Sequence, residues 1–290
     1  MKWHEQMNAA VGAIEGGLPG EIDFSGVARI MGQSAIGFQR TFSIVTGYSV
    51  FEYIRRRKMT LAAFELQNSD EKVIDIAMKY GYESPEAFAR AFKETHGISP
   101  TSARKPGAKL KAFPRITFLL TVKEGVAMDY RIETREAFSV YGIEGIFSMD
   151  EDRHMRDIPM FWQACMEDGR FDALVRSTHG EQSGVHAICD YRKTGESTFP
   201  YMLFTYRTKG CDAAGYTAVD VPAATWAVFT SEKHTQEETS GVIQGLIRRV
   251  YTDWLPTAGY RKVDGYELEL YFMSGDGLHC CETWIRVEPK

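Results

Sequence analysis

Apolar residues in the first third of the chain recur at the spacing of a helix. Val73, Ile76, Ala77 and Tyr80 follow the three- and four-residue steps that place side chains on one helix face. Short turns that contain glycine separate the apolar stretches, and almost no segment alternates between apolar and polar residues. This pattern predicts an all-α domain.

The rest of the chain alternates apolar and polar residues or is rich in β-branched residues, which predicts strands. Two helical stretches, residues 158–166 and 238–255, interrupt this pattern and make the region α+β. The order of elements indicates two strand-helix-strand-strand units around a cleft, a place where proteins often bind small molecules. The predicted strands are residues 130–146, 185–191, 201–208, 225–230, 266–272 and 282–287.

A segment rich in Pro, Gly, Ser and Lys, residues 96–113, follows neither pattern and predicts a linker. We expect a multidomain protein with a helical domain at residues 1–107, a linker at 108–127 and an α+β domain at 128–290.

The overall net charge of -5 argues against a protein that binds polyphosphate over its whole surface. However, the residues up to Arg115 include 16 basic and 12 acidic ones, and the remainder include 18 and 27. A basic domain joined to an acidic one leaves DNA binding open.

The helical domain contains an internal repeat. The sequence Phe38-Gln-Arg40-Thr-Phe42 recurs as Phe88-Ala-Arg90-Ala-Phe92. Each copy predicts a short helix, a glycine turn and a second helix that begins after a serine cap, which is a helix-turn-helix. The short helices are residues 26–31 and 73–79, the turns are at Gly32 and Gly81, and the caps are Ser34 and Ser84.

A long amphipathic helix, residues 50–67, is predicted to connect the two copies. A rigid spacer can place two recognition helices in successive major grooves of DNA, about 34 Å apart. The alternative is a helical bundle in which Arg40 and Arg90 lie on a solvated surface.

Residues 24–104 resemble the DNA-binding domain of the AraC/XylS transcription regulators. The resemblance is carried by Ile76-Ala77-x-x-x-Gly81-Tyr82-x-Ser84, by the Phe-x-Arg-x-Phe-Lys run that ends at Lys93, and by Gly97-Ile-Ser-Pro100. We expect Arg40 and Arg90 to be the main contacts, because a guanidinium group can bind guanine or phosphate. The residues that the resemblance places towards DNA are Ala35, Ile36, Gly37, Gln39 and Arg40 in the first copy, and Pro85, Glu86, Ala87, Arg90 and Lys93 in the second.

Residues 254–260, 264–271 and 282–287, with an opening strand at 130–145, resemble the GyrI-like effector-binding domain. The resemblance implies a cleft for bulky, hydrophobic or cationic compounds and places the family's glutamate at Glu282. An incoming cation would offset the cost of burying that carboxylate. A solvated carboxylate or a salt bridge to arginine remains the alternative for Glu282, and core packing for each aromatic residue. The aromatic candidates for the cleft wall are Trp162, Tyr206, Trp226, Tyr271 and Trp284.

Together these features predict a ligand-responsive transcription regulator of the multidrug-response type. Its partners would be promoter DNA, a hydrophobic or cationic effector and RNA polymerase. The alternative is a GyrI-like hydrolase or a drug-sequestering protein, although no nucleophile, base and orienting acid stand at a recognisable spacing.

We expect neither a metal nor a cofactor, because the five Cys and seven His lack metal-ligand spacing. The polar N-terminus does not resemble a signal peptide, and no apolar run approaches the ~20 residues that span a bilayer. A cytoplasmic protein without a membrane partner is expected.

Overall fold

The computed structural model describes residues 2–119, 127–150, 153–180 and 184–290. Residues 120–126, which belong to the predicted linker, lie outside the described residues. The chain divides into two compact units. The first unit is Met1–Gly32 with Tyr48–Thr121, and the second is Gln33–Gly47 with Val122–Lys290. Among the helices of the described ranges, none is long and apolar enough to cross a membrane.

The N-terminal region is helical, as predicted. The sequence did not predict the first helix, and the third helix belongs to the second compact unit. The helices are α1 Trp3–Gly17, α2 Phe24–Met31, α3 Ala35–Thr46, α4 Val50–Asn68, α5 Val73–Lys79, α6 Pro85–His96 and α7 Pro100–Ala103.

Serine caps begin both predicted recognition helices. The Ser34 hydroxyl accepts a hydrogen bond from the backbone N–H of Gly37 at 3.1 Å, and Ser84 does the same for Ala87 at 3.1 Å. Glycines in the left-handed conformation, Gly47 and Gly97, follow the last residues of α3 and α6. The predicted starts of these two helices, directly after Ser34 and Ser84, are therefore correct.

One buried apolar cluster of the first unit lies between α4, α5 and α6. Phe88 and Phe92 of α6 are fully buried in one cluster with Met59 and Leu66 of α4 and Ile76 of α5. Because the two phenylalanines are four residues apart, they lie on one face of α6 and direct its opposite face away from this core.

The second unit contains an antiparallel sheet in which the strands do not follow their order in the chain. Its strand order is β1-β6-β9-β8-β3-β4-β2-β5, and β7 pairs with β9. The strands are β1 Tyr130–Arg135, β2 Phe138–Ser148, β3 His186–Cys189, β4 Thr198–Tyr206, β5 Thr217–Val221, β6 Ala224–Thr230, β7 Tyr260–Lys262, β8 Glu267–Met273 and β9 His279–Pro289. The helices are α8 Arg153–Glu167, α9 Arg170–Arg176 and α10 Thr239–Arg249, and a π-helical turn Val250–Trp254 follows α10.

The two predicted strand-helix-strand-strand units are present as β2-α8-β3-β4, with α9 inserted after α8, and as β6-α10-β8-β9, with β7 inserted before β8. They meet where β3 pairs with β8. The prediction of one continuous strand at residues 130–146 is wrong, because two strands, β1 and β2, occupy this range. β1 pairs with β6, whereas β2 pairs with β4 and β5. The two residues between β1 and β2 are Glu and Ala, so the sequence contains no glycine or proline that would signal the break.

The two faces of the sheet differ in chemistry, because successive side chains of a strand point to opposite faces. One face, which we call the aromatic face, carries a buried apolar cluster that includes Trp226, Trp284, Leu268 and Leu270. The opposite face carries Glu267, Glu269 and Tyr271 on β8 and Tyr201 on β4, and it lies towards α8. We call it the acidic face.

Candidate effector-binding site and recognition helices

A carboxylate surrounded by aromatic side chains lies on the acidic face. The Tyr271 hydroxyl donates to Glu269 Oε2 at 2.7 Å, and the Tyr201 hydroxyl donates to the same oxygen at 3.2 Å. Trp162 of α8 donates its indole N–H to the Tyr201 hydroxyl at 2.9 Å, and its ring meets that of Tyr271 edge-on with centroids 5.4 Å apart. These four residues form the Glu269 cluster.

The Glu269 cluster is accessible in part, since Glu269, Tyr271 and Trp162 each retain some exposed surface. Burial raises the pKa of Glu269 above its ordinary value, although the hydrogen bonds from Tyr271 and Tyr201 and the charge of Arg40 oppose the shift. Both donors are neutral hydroxyls. The carboxylate can therefore gain from a positive charge that arrives with a ligand.

Two residues away on β8, Glu267 has the opposite surroundings. Its carboxylate accepts from Arg40 Nη2 at 2.8 Å, from Lys262 Nζ at 2.8 Å and from the Tyr251 hydroxyl at 2.9 Å. Burial alone would raise the pKa of Glu267, but the charges of Arg40 and Lys262 outweigh it and lower this pKa to about 2. Glu267 is thus an ionised carboxylate with its counter-charges in place.

The predicted effector residue Glu282 lies on the aromatic face. Arg131 donates to its carboxylate from both Nη atoms, at 2.7 and 3.2 Å, and the Trp284 indole N–H donates at 2.8 Å. Burial would raise the pKa of Glu282, but Arg131 and Trp284 lower it below its ordinary value. The salt bridge to arginine that the sequence left open is therefore present, and the role of Glu282 in effector binding stays a prediction.

The predicted aromatic residues divide between the two faces of the sheet. Trp226 and Trp284 are fully buried in the core of the aromatic face, and Tyr206 packs against that core. Trp162 and Tyr271 lie in the Glu269 cluster. The sequence analysis did not single out Glu269. The available signal was the alternation of Glu267, Glu269 and Tyr271 with leucines, which places all three on one face of β8.

The second recognition helix, α6, presents its predicted DNA-binding residues to solvent. Glu86, Ala87, Arg90 and Lys93 are exposed, and Pro85 at the first helical position is partly exposed. The aromatic residues of α6 face inward, so a polar face with two basic side chains is free to approach a phosphate backbone.

The first recognition helix, α3, has different surroundings. Ile36, Gly37 and Gln39 are buried, and Ala35 is partly buried. Arg40 is largely buried as well, and its guanidinium group pairs with Glu267. The structure thus places Gly37, Gln39 and Arg40 of α3 in contact with residues of the effector-binding domain. Their role in binding DNA stays a prediction.

Metal binding has no evident site in the part of the chain that the structure describes. Within those ranges, no group of three or more His, Cys, Asp and Glu side chains is arranged to hold a metal ion.

Comparisons with known protein families match both halves of the chain. The model for the family described as "Helix-turn-helix domain" matches residues 27–106. The model for "Integron-associated effector binding protein" matches residues 131–287, which is more than half of the chain.

Two curated proteins are similar to this chain. The HTH-type transcriptional activator AarP of Providencia stuartii is 42% identical over 91 residues, which cover 31% of this chain and 67% of AarP. The transcriptional regulator Rob of Salmonella typhimurium is 26% identical over 236 residues, which cover 67% of this chain and 81% of Rob. The similarity to Rob extends well beyond the length of the helix-turn-helix match.

Among solved structures, a putative bacterial transcription regulation protein from Staphylococcus aureus MU50 aligns with 56% of this chain and 99% of its own length. The sequence identity is 16% and the TM-score is 0.44.

Proposed function

Because the chain belongs to the AraC/XylS family of transcription regulators and carries a GyrI-like effector-binding domain, we propose that its effector is a bulky organic cation bound at the Glu269 cluster. The chain is a ligand-responsive regulator with a helix-turn-helix DNA-binding region. The observation that supports the proposed site is the partly accessible Glu269 carboxylate, to which two neutral tyrosine hydroxyls donate.

The chemistry of the cluster favours a cation with aromatic or apolar groups. A partly buried carboxylate whose donors among the described residues are neutral hydroxyls is stabilised when a cation enters and replaces its lost hydration. The indole ring of Trp162 and the phenol ring of Tyr271 offer faces and edges for stacking and cation-π contact. Glu282 is less suited, because Arg131 already supplies its counter-charge.

Calorimetric titration of the full chain with tetraphenylphosphonium, and with neutral triphenylphosphine oxide for comparison, tests this site. Glu269→Gln should weaken binding of the cation about tenfold or more, which is about 1.4 kcal/mol, and should change binding of the neutral compound little. Glu282→Gln is the matched variant on the aromatic face and should retain the wild-type affinity. If the cation binds Glu269→Gln as it binds the wild type, the proposed site is wrong. A loss confined to Glu282→Gln would instead favour the aromatic face.

For the DNA-binding function, we propose that α6 enters a major groove through Pro85, Glu86 and Ala87, with Arg90 and Lys93 near bases or phosphates. The exposed polar face of α6 supports this assignment. Footprinting on DNA upstream of the protein's own gene, with and without a cation panel, should show a protected site. The affinity of the protein for this site should fall steeply as the salt concentration rises.

The remaining partners follow from the proposed regulatory role. A regulator bound at a promoter acts through RNA polymerase. It acts where the chromosome lies, so we place the protein in the cytoplasm.

We also propose that the effector-binding domain binds its ligand without converting it. Recovery of unchanged ligand after long incubation with the protein tests this point.

A further inference from the structure

The first recognition helix, α3, packs against the effector-binding domain within the second unit. The side-chain amide of Gln39 donates to the backbone oxygen of Glu196 at 3.1 Å, and the helix contacts α10 and the π-helical turn Val250–Trp254. Part of the surface of α3 that the sequence assigns to DNA reading is therefore covered by residues of the domain that binds the effector. We call this arrangement the docked position of α3.

Arg40 is the charged centre of the docked position. Its Nη2 lies 2.8 Å from Glu267 Oε2, its Nη1 lies 4.0 Å from Asp190 Oδ2, and its guanidinium group stacks over the Phe199 ring at 5.1 Å. The Arg40 side chain is only 13% exposed. A guanidinium group with these partners cannot also reach a guanine edge or a phosphate, so α3 must leave the docked position before Arg40 contacts DNA.

The N-terminal end of α3 is held by a second acidic residue. The Asp264 carboxylate accepts a hydrogen bond from the backbone N–H of Ser34, next to the positive end of the helix dipole. It also lies directly against Gly37, where an added β-carbon would stand 3.0 Å from Asp264 Cγ. Residues 264–267 therefore contact α3 at its first turn and, through Glu267, at Arg40.

The docked position and the Glu269 cluster share two strands. Glu267 and Glu269 are two residues apart on β8, and Phe199 and Tyr201 are two residues apart on β4, so each pair lies on one face. Arg40 contacts the first member of each pair, and the Glu269 cluster contains the second. A cation bound at Glu269 would therefore lie on the same acidic face as Arg40. Its positive charge would repel the Arg40 guanidinium group.

We propose that the effector-binding domain holds α3 in a position that cannot bind DNA, and that a cationic effector at the Glu269 cluster favours release of α3 by repelling Arg40. Only the second half rests on the proposed effector site. Coupling between two binding events is reciprocal, so the docked position must in turn weaken binding of the cation. Released α3 can then bind DNA, where phosphates replace the carboxylates as partners of Arg40.

A disulfide that fixes the docked position tests the proposal in the full-length chain. The short distance between residue 37 and the Asp264 side chain makes Gly37→Cys with Asp264→Cys a suitable pair for oxidation. Binding to DNA from upstream of its own gene is measured for the same protein oxidised and reduced, so any direct effect of the substitutions cancels. The single variants, oxidised in parallel, control for the five native cysteines.

The oxidised double variant should bind DNA about tenfold more weakly than the reduced one, and should bind tetraphenylphosphonium more weakly as well. Asp264→Ala, which removes the contact with the α3 N-terminus, should bind DNA more tightly than wild type without ligand. Equal DNA affinity in the oxidised and reduced protein would overturn the inhibitory role of the docked position. Failure of the disulfide to form would overturn the docked position itself.

The DNA measurement uses no ligand, so it does not depend on the effector site. If oxidation weakens DNA binding but leaves affinity for the cation unchanged, the coupling between the two sites is wrong and the hold on α3 stands. If Glu269→Gln binds the cation normally while oxidation still weakens DNA binding, only the proposed effector site is wrong.

Discussion

Glu267 and Glu269 lie two residues apart on the same face of β8, and the pKa values of their carboxyl groups shift in opposite directions. Arg40 and Lys262 each lie 2.8 Å from Glu267, and their charges outweigh burial and lower its pKa. Glu269 accepts hydrogen bonds from tyrosine hydroxyls, and burial raises its pKa. One strand thus carries a carboxylate whose charge is neutralised beside one that can still accept a cation.

The ion pairs of Glu267 should contribute strongly to the stability of the second unit. Glu267→Gln keeps the shape of the side chain but leaves Arg40 and Lys262 with a neutral acceptor in a buried site. Removing one partner of a buried ion pair costs about 3 kcal/mol or more. We expect a loss of this size in the free energy of unfolding of the full chain, measured by urea denaturation.

Glu288→Gln is the matched control for this measurement. Glu288 pairs with Arg261 at 2.8 Å, but both side chains are about half exposed or more. Exposed pairs contribute less than about 1 kcal/mol, so this variant should unfold nearly as the wild type does. Equal losses in the two variants would show that Glu267 is not a stabilising centre.

The raised pKa of Glu269 predicts a stability that depends on pH. Because the folded state binds this proton more tightly than the unfolded chain, the folded state loses stability as pH rises from the ordinary value of 4.5 through the raised pKa. Glu269→Gln removes this loss, so the variant should be more stable than wild type at pH 7 and the difference should shrink towards pH 4. Urea denaturation at several pH values measures it.

The lowered pKa of Glu267 has the opposite sign and a different pH window. Its contribution to stability is present above the ordinary glutamate pKa and is lost only as pH falls towards about 2. The two carboxyl groups can therefore be distinguished in one experiment. A Glu269→Gln variant that is less stable than wild type at pH 7 would contradict the assignment of a desolvated carboxylate.

The sequence predicted most helices of the N-terminal region because their signals are local. Ser34 and Ser84 cap the helices that begin at the next residue, and the paired phenylalanines of α3 and α6 are fully buried. Each signal lies within a few residues of the feature that it specifies. Hydrogen bonding within a turn and side-chain spacing along a helix suffice to read it.

The site residues were harder to predict, because their partners are distant in the sequence. Glu269 and Glu282 are both strand glutamates, and the partners that distinguish them are Tyr201 for one and Arg131, 151 residues away, for the other. Arg40 pairs with Glu267, 227 residues away. Periodicity assigns a residue to a face of its own strand or helix, but it does not specify what the fold brings to that face.

Arg90 of α6 should carry a large share of DNA binding that does not depend on the position of α3. Its side chain is exposed, and Lys93 lies one helical turn further along. Arg90→Ala should weaken DNA binding by about 1–3 kcal/mol if the guanidinium group reads a base, and should relax specificity at that base pair. Anisotropy titrations against the protected sequence, and against single-base variants of it, measure both effects.

The control for this prediction is Arg261→Ala, which removes the same charge from an exposed site in the second unit and should leave the affinity for DNA unchanged. Wild-type affinity in Arg90→Ala would remove α6 from the DNA interface, since Arg90 is the basic residue nearest the middle of its exposed face.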